Sequence, residues 1–363
     1  MKRQYTLFCL LSLINFTLFA QDIYVTHRDY SNTNYVFAIQ QVNQSTGAIL
    51  NDHTYTTSIT YSYAPYSLTY SSSTLEVAGL TDDDQVIFYH IDNHTERSFT
   101  LPSISNNDYD EIVIANGRLF ITNKDYSGSP ELYYISEIDL TTGVVIGTPH
   151  QFTTPFTQSY PPENLHYLAS SNEIFGLEFD KVVKYNITTG AESYFNLATA
   201  TDTDYGDLVI ANGRLFVNKR DYSGPSTLHY LIELNPTTGS IIGTPHQYTT
   251  PLDSYAPSSL SYLASTNEIV GFVDNLVVKY NITTGSETSF NMPTAASNDY
   301  ADLVSTDDGT TTPVVNSTSV NSHPPTIVKA WNLMGEIIPI NTSNQIIFVE
   351  YSDGSKGKIF VKE

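Results

Sequence analysis

The sequence predicts an all-β chain whose main body is a six-bladed β-propeller. Three observations carry this: a repeat with a step of 96 residues, four strand-like segments in each half of that repeat, and a blade divided between the two ends of the repeated region. The longest repeated stretch starts Asp108-Tyr109-Asp110-Glu111-Ile112-Val113-Ile114-Ala115-Asn116-Gly117-Arg118-Leu119-Phe120. It returns as Asp204-Tyr205-Gly206-Asp207-Leu208-Val209-Ile210-Ala211-Asn212-Gly213-Arg214-Leu215-Phe216. A partial third copy reads Asp299-Tyr300-Ala301-Asp302-Leu303-Val304. A basic-Asp-Tyr-Ser element recurs at residues 28–31, 124–127 and 220–223, and Thr-Gly turns follow at Thr46-Gly47, Thr142-Gly143 and Thr238-Gly239.

Within one repeat the first half reads as strands over 112–116, 118–123, 131–140 and 144–152. Asn116-Gly117 makes a tight hairpin between the first two, because both residues accept the left-handed conformation that a two-residue turn needs. The second half follows the same grammar with shorter loops: 165–170, 173–178, 181–187 and 192–197, with Thr188-Thr189-Gly190 turning between the last two. Four antiparallel strands in about 45 residues make one blade, and three repeats of two blades make six. Residues 22–56 supply only three strands, over 23–27, 35–41 and 48–55. The missing first strand has its counterpart at 302–305, so a strand from the far end closes the ring. An open solenoid would leave sheet edges bare and would not predict a split blade.

The segments LFITN (119–123), IYVTH (23–27) and IDLTTG (138–143) resemble the strand and turn motifs of YVTN-type, YncE-like propellers. The resemblance spans about residues 22 to 305, and its motifs are structural, so it implies fold and not activity. The six-blade count departs from the seven most common in that group.

The domain organisation is then 1–20 signal peptide, 21–305 propeller, 306–325 linker and 326–363 C-terminal domain. Lys2 and Arg3 precede an apolar run over 7–19, and Ala20 stands before Gln21 as a cleavage point. The run is shorter than the ~20 residues a membrane span needs, so no transmembrane span is expected in the mature chain. The single cysteine, Cys9, lies inside this leader after Phe8, which does not fit a lipoprotein cleavage site. A mature chain without cysteine has no disulfide and no thiolate nucleophile, which suits an exported bacterial protein. The linker is rich in Thr, Ser, Asp, Asn and Pro and ends at Pro324-Pro325. Beyond it, NLMGE (332–336), IIFVEY (346–351) with Asp353-Gly354, and KIFVKE (358–363) resemble the C-terminal sorting domain of type IX secretion substrates of the Bacteroidetes. That resemblance implies a small β-sandwich-like domain acting as an export address, with the type IX machinery as its partner. It places the protein outside a Gram-negative cell, secreted or on the outer surface. The competing reading is a generic terminal β-hairpin domain.

The formal net charge of -22 argues against nucleic acid and anionic membranes as partners, because both repel such a surface. Propeller connectivity puts the loops before strand one and between strands two and three on one face. That face is expected to receive Asp108, Tyr109, Asp204, Tyr205, Asp299 and Tyr300 from the first set of loops, and Asp29, Tyr30, Asp125, Tyr126, Asp221 and Tyr222 from the second. The tighter blades add Asp83, Asp180 and Asp274, and Tyr63, Tyr160 and Tyr255 in Ser-Tyr-x-Pro elements. The expected result is a mouth lined by carboxylates and phenols. Carboxylates are the hard oxygen ligands that Ca2+ prefers, and Tyr offers an aromatic face and a hydroxyl to a sugar or a protein ligand. Against this, Asp caps turns for purely local reasons, and Arg28, Lys124 and Arg220 can pair with carboxylates across blades. His53, His150 and His246 recur near the fourth strands; a zinc site needs its ligands around one ion, and the outermost strands hold these apart. No HExxH, GxSxG, P-loop or CxxC is present. The expectation is a noncatalytic binding scaffold; the alternative is a lactonase-like hydrolase or lyase with a cation or a His/Asp site at the central channel.

Overall fold

The computed structural model describes residues 22–31, 35–59, 63–103, 106–156, 160–198, 201–252, 255–293 and 298–306, and the backbone strands 327–331, 345–351 and 356–361. The expected leader at 1–20 and nearly all of the linker at 306–325 lie outside them. The chain divides into two units, Met1–Thr311 and Thr312–Glu363. The second contains a three-stranded antiparallel sheet of Ile327–Trp331, Gln345–Tyr351 and Lys356–Val361, with the middle segment central. Among the described residues no helix is long and apolar enough to cross a membrane.

The first unit is a six-bladed propeller of four-stranded antiparallel sheets. Blade 1 is assembled from both ends: Asn298–Ser305 is innermost, followed by Ile23–Asp29, Val36–Val42 and Ile49–Thr54. Leu303 pairs with Val25 and Val304 with Tyr24, as the split repeat requires. The other inner strands are Tyr66–Ser71 in blade 2, Asn107–Ala115 in blade 3, Glu163–Leu168 in blade 4, Thr203–Ala211 in blade 5 and Ser258–Leu263 in blade 6. Each inner strand touches the next, and the sixth touches the first, so the ring is closed.

Burial follows the ring. Six apolar clusters occupy the six blade-to-blade junctions, for example Leu80, Phe88, Ile112 and Leu119 between blades 2 and 3, and Val25, Leu263, Val270 and Leu303 between blades 6 and 1. A fully buried Leu, Ile or Phe contributes about 1.5–3 kcal/mol, so no junction can be lost without losing a large share of a domain's net stability.

Polar staples cross the junctions at the rim. His53 meets Glu96 at 3.2 Å, His150 meets Glu192 at 3.0 Å and His246 meets Glu287 at 2.8 Å, each pair spanning two neighbouring outer strands. These histidines are therefore partners of carboxylates at three separate junctions. Burial alone would raise the three glutamates. Hydrogen bonds from Thr57, Thr154 and Thr250, from neighbouring threonine N–H groups and from the histidines instead hold them below the usual range.

Candidate functional site

The Asp-Tyr elements 108–109, 204–205 and 299–300 lie inside the inner strands, not in loops before them. A bulge in each inner strand absorbs the extra residue, between Tyr109 and Ile112, Tyr205 and Asp207, and opposite the Thr26/His27 step, so pairing continues outward to the mouth. The ion pairs described for the basic residues fall within their own blade. Arg28 reaches Asp299 at 2.6 Å, Lys124 reaches Glu131 at 3.1 Å and Arg220 Nε donates to Asp204 at 3.0 Å.

What crosses the junction is the aromatic ring of the next blade. Arg28 lies 5.5 Å from the ring centres of Tyr30, Tyr35 and Tyr63. Lys124 lies 6.0 Å from Tyr126 and 5.7 Å from Tyr160, and Arg220 lies 5.6 Å from Tyr222 and 5.5 Å from Tyr255. Each cation thus sits between the Tyr of its own motif and the Tyr of a Ser-Tyr-x-Pro element, a geometry favourable to the ring quadrupole. The outer phenols stay open to solvent: Tyr63 is 62% exposed, Tyr160 54% and Tyr255 68%.

Most of the remaining expected residues have local partners. Asp29, Asp125 and Asp221 accept the N–H of Ser31, Ser127 and Ser223 at 2.8, 2.8 and 3.0 Å, and those serines hold the three carboxylates below the usual range. The hydroxyls of Tyr109, Tyr205 and Tyr300 donate to the carbonyls of Pro102, Ala198 and Pro293, tying each inner strand to the connection before it. Asp108 is exposed at the mouth. In the tight loops Asp83 accepts from Gln85, Asp180 pairs with Lys181 at 3.2 Å, and Asp274 holds a turn at φ 55°. Among the described residues no group of three or more His, Cys, Asp or Glu side chains is placed to hold a metal ion.

The axial channel holds a cavity of about 230 Å3 lined by all six inner strands. Glu111, Asp207 and Asp302 stand at equivalent places in blades 3, 5 and 1, alternating with Ser67, Asn164 and Ser259, which are left-handed bulge residues at φ 52°, 54° and 52°. Asp302 accepts N–H bonds from Leu303 at 2.7 Å and, across the junction, from Leu68 at 2.6 Å. Asp207 accepts from Leu208 at 2.6 Å and from Leu260 of blade 6 at 2.9 Å. Glu111 turns the other way and accepts the Ser67 hydroxyl of blade 2. Burial, aided by mutual repulsion with Asp302, pushes Asp207 up to about 8 and Glu111 well above its ordinary value.

Threefold likeness fails at blades 3 and 4. Where the other copies carry Ala301 or Gly206, blade 3 has Asp110, pushed up to about 7 by burial and by Glu163 and Asp108. Where blades 2 and 6 have Thr69 and Ser261, blade 4 has His166, which lines the channel and is held down to about 4 by burial. Thr26 donates to the Pro65 carbonyl at 2.7 Å and Asn218 donates to that of Pro257, but the buried hydroxyl of the equivalent Thr122 has no partner among the described residues. The channel carboxylates were not among the expected site residues. Their signal was an acid two places after the Tyr of each inner-strand Asp-Tyr, directly before an apolar run.

A second cavity, of about 420 Å3, opens where blades 4, 5 and 6 meet at the mouth. Phe179, Tyr205, Tyr255, Glu163 and the Asp204–Arg220 pair line it, and Gly206 forms part of its wall. Four of these, Asp204, Tyr205, Arg220 and Tyr255, belong to the elements singled out in the sequence; Phe179, Glu163 and Gly206 do not.

No family model and no curated protein matches the chain. Among solved structures, TolB from Acinetobacter baumannii superposes with a TM-score of 0.50 at 12% identity, covering 79% of this chain and 67% of that one. An oligogalacturonate lyase in complex with manganese gives a TM-score of 0.43 at 12% identity, covering 70% of each. The first likeness is one of propeller fold, and nothing about activity follows from either.

Proposed function

We infer that this propeller is a noncatalytic binding scaffold that works outside a Gram-negative cell and takes hold of a glycan at its Tyr-rich mouth. Export through the type IX machinery, and kinship with the YVTN-type propellers, belong to the same reading and rest on the sequence resemblances described above. The observation that carries it is the trio of phenol–cation–phenol clusters. Each presents a solvent-open aromatic plane held in place by a cation, with acceptor carboxylates beside it. Rigid aromatic faces lose little side-chain entropy on binding, and adjacent carboxylates accept sugar hydroxyls.

The test is a glycan array followed by titration of the best hit. Replacing Tyr63, Tyr160 and Tyr255 together by Ala is expected to weaken binding at least tenfold, with the melting temperature nearly unchanged because these rings are exposed. Equal affinity of wild type and triple variant would remove the mouth as the binding face.

A catalytic reading has one observation in its favour: Asp110, Glu111 and Glu163 are carboxyls pushed toward the protonated form in the neighbouring blades 3 and 4. Glycans recovered unchanged in length after incubation with the protein support the scaffold; shortened ones favour a hydrolase or lyase.

A further inference from the structure

We propose that the cleft between blades 4, 5 and 6 is the principal ligand site, and that it seats one neutral pyranose unit of the glycan. This rests on the reading of the mouth as a binding face and goes beyond it by choosing one of three related places and a class of sugar. The clusters around the mouth repeat, but two features make this place different, and a third observation, charge, sets the class of sugar.

The first is Gly206. Blade 1 carries Ala301 at this position and blade 3 carries Asp110, whose side chain is half-buried. A Cβ built on Gly206 meets no heavy atom within 4 Å, and the residue is not in the left-handed region, so nothing in the backbone requires a glycine there. Its lack of a side chain leaves the cleft open.

The second is Phe179. It occupies a two-residue hairpin between the second and third strands of blade 4, Glu173–Glu178 and Lys181–Asn186, at φ 50°. Such turns favour Asn, Asp or Gly, and blade 6 uses Asp274 at φ 55° in the same place. A bulky side chain at positive φ is a strained choice, and strain of this kind collects at functional sites. The ring remains 44% exposed on the cleft, and Tyr255, 68% exposed, belongs to the same lining.

The third is charge. Arg220 is already neutralised by Asp204, and Glu163 adds an acceptor to the same lining. With a net charge of -22 on the chain, an acidic sugar is repelled while a neutral one finds aromatic planes and hydroxyl acceptors. The volume of about 420 Å3 suits a single ring unit, at the lower end of the ~300–1,000 Å3 typical of small-ligand pockets.

The experiment uses the full chain and an array of neutral, amino and uronic-acid oligosaccharides, followed by calorimetry with the best neutral oligosaccharide. One binding event per chain is expected, lost by at least tenfold in Gly206→Asp, a residue that blade 3 already accommodates. Phe179→Asp, which copies blade 6, is expected to raise the melting temperature while weakening binding at least tenfold. A merely structural Phe179 would not separate those two effects. Binding that survives both variants but fails in Tyr63→Ala or Tyr160→Ala overturns the cleft and leaves the mouth standing. A preference for uronic-acid glycans overturns the charge argument and with it the proposal. An array without hits overturns the cleft and the binding face together.

Discussion

Gly47, Gly143 and Gly239 show what the recurrent Thr-Gly turn is for. Each glycine has φ near +70° and lies under an aromatic ring of the preceding blade: Phe290, Phe99 and Phe195. A Cβ on Gly143 would stand 2.5 Å from Phe99, so this residue is fixed both by its backbone and by its neighbour. Gly117 has the same φ of +71° but open space around it. Gly143→Ala is therefore expected to cost about 2–4 kcal/mol in urea unfolding, and Gly117→Ala only ~1 kcal/mol, since the first adds overpacking to the backbone strain. Equal costs would mean that the Phe99 contact is not rigid. The repeat made these glycines visible in the sequence, but the rings they accommodate lie on another blade, far away along the chain, and have no local signature.

At the scale of the strand, the bulges decide the chemistry. Without them the acid two places after the Tyr of each inner-strand Asp-Tyr would alternate out of step with the channel, and Asp207 could not meet the Leu260 N–H. The price is a buried carboxyl that keeps its proton. Such a group binds that proton more tightly folded than unfolded. Its stabilising effect is complete below the ordinary value of 3.8 and is lost as pH rises to about 8 for Asp207 and to about 7 for Asp110. The urea midpoint is expected to fall between pH 4 and pH 8, and Asp207→Asn is expected to flatten that fall. An unchanged slope in the variant would show that Asp207 titrates normally. The rim glutamates work in the opposite sense. Their lowered values stabilise the fold above the ordinary Glu range and lose that effect only in more acid solution. Strand order, blade number and the split blade were legible because period-2 patterning and turn residues are local. The channel carboxylates and the cleft were not, because a bulge and a missing side chain act only after six inner strands have been brought around one axis.

The whole molecule depends on a single strand pairing over great sequence separation. The N–H of Thr306 donates to the Asp22 carbonyl at 3.0 Å, and the Asp22 N–H donates to Thr306 Oγ1 at 3.1 Å, so the pairing of Ile23–Asp29 with Asn298–Ser305 is secured where the strands end. Leu303 and Val25 are both almost fully buried between blades 6 and 1. Replacing Leu303 by Asp puts an unpaired charge in that junction, which costs several kcal/mol, and is expected to abolish the single cooperative transition. Retention of one sharp transition at an unchanged midpoint would mean that the ring tolerates an open seam. Timing is affected too. A chain that emerges from its N-terminus presents blade 1 with its inner wall missing, and keeps it so until the stretch ending at Ser305 has appeared. During that interval the two faces that will become the last junction wait unmatched, so the final step of assembly is a slow, late search that cannot begin before nearly the entire ring is out.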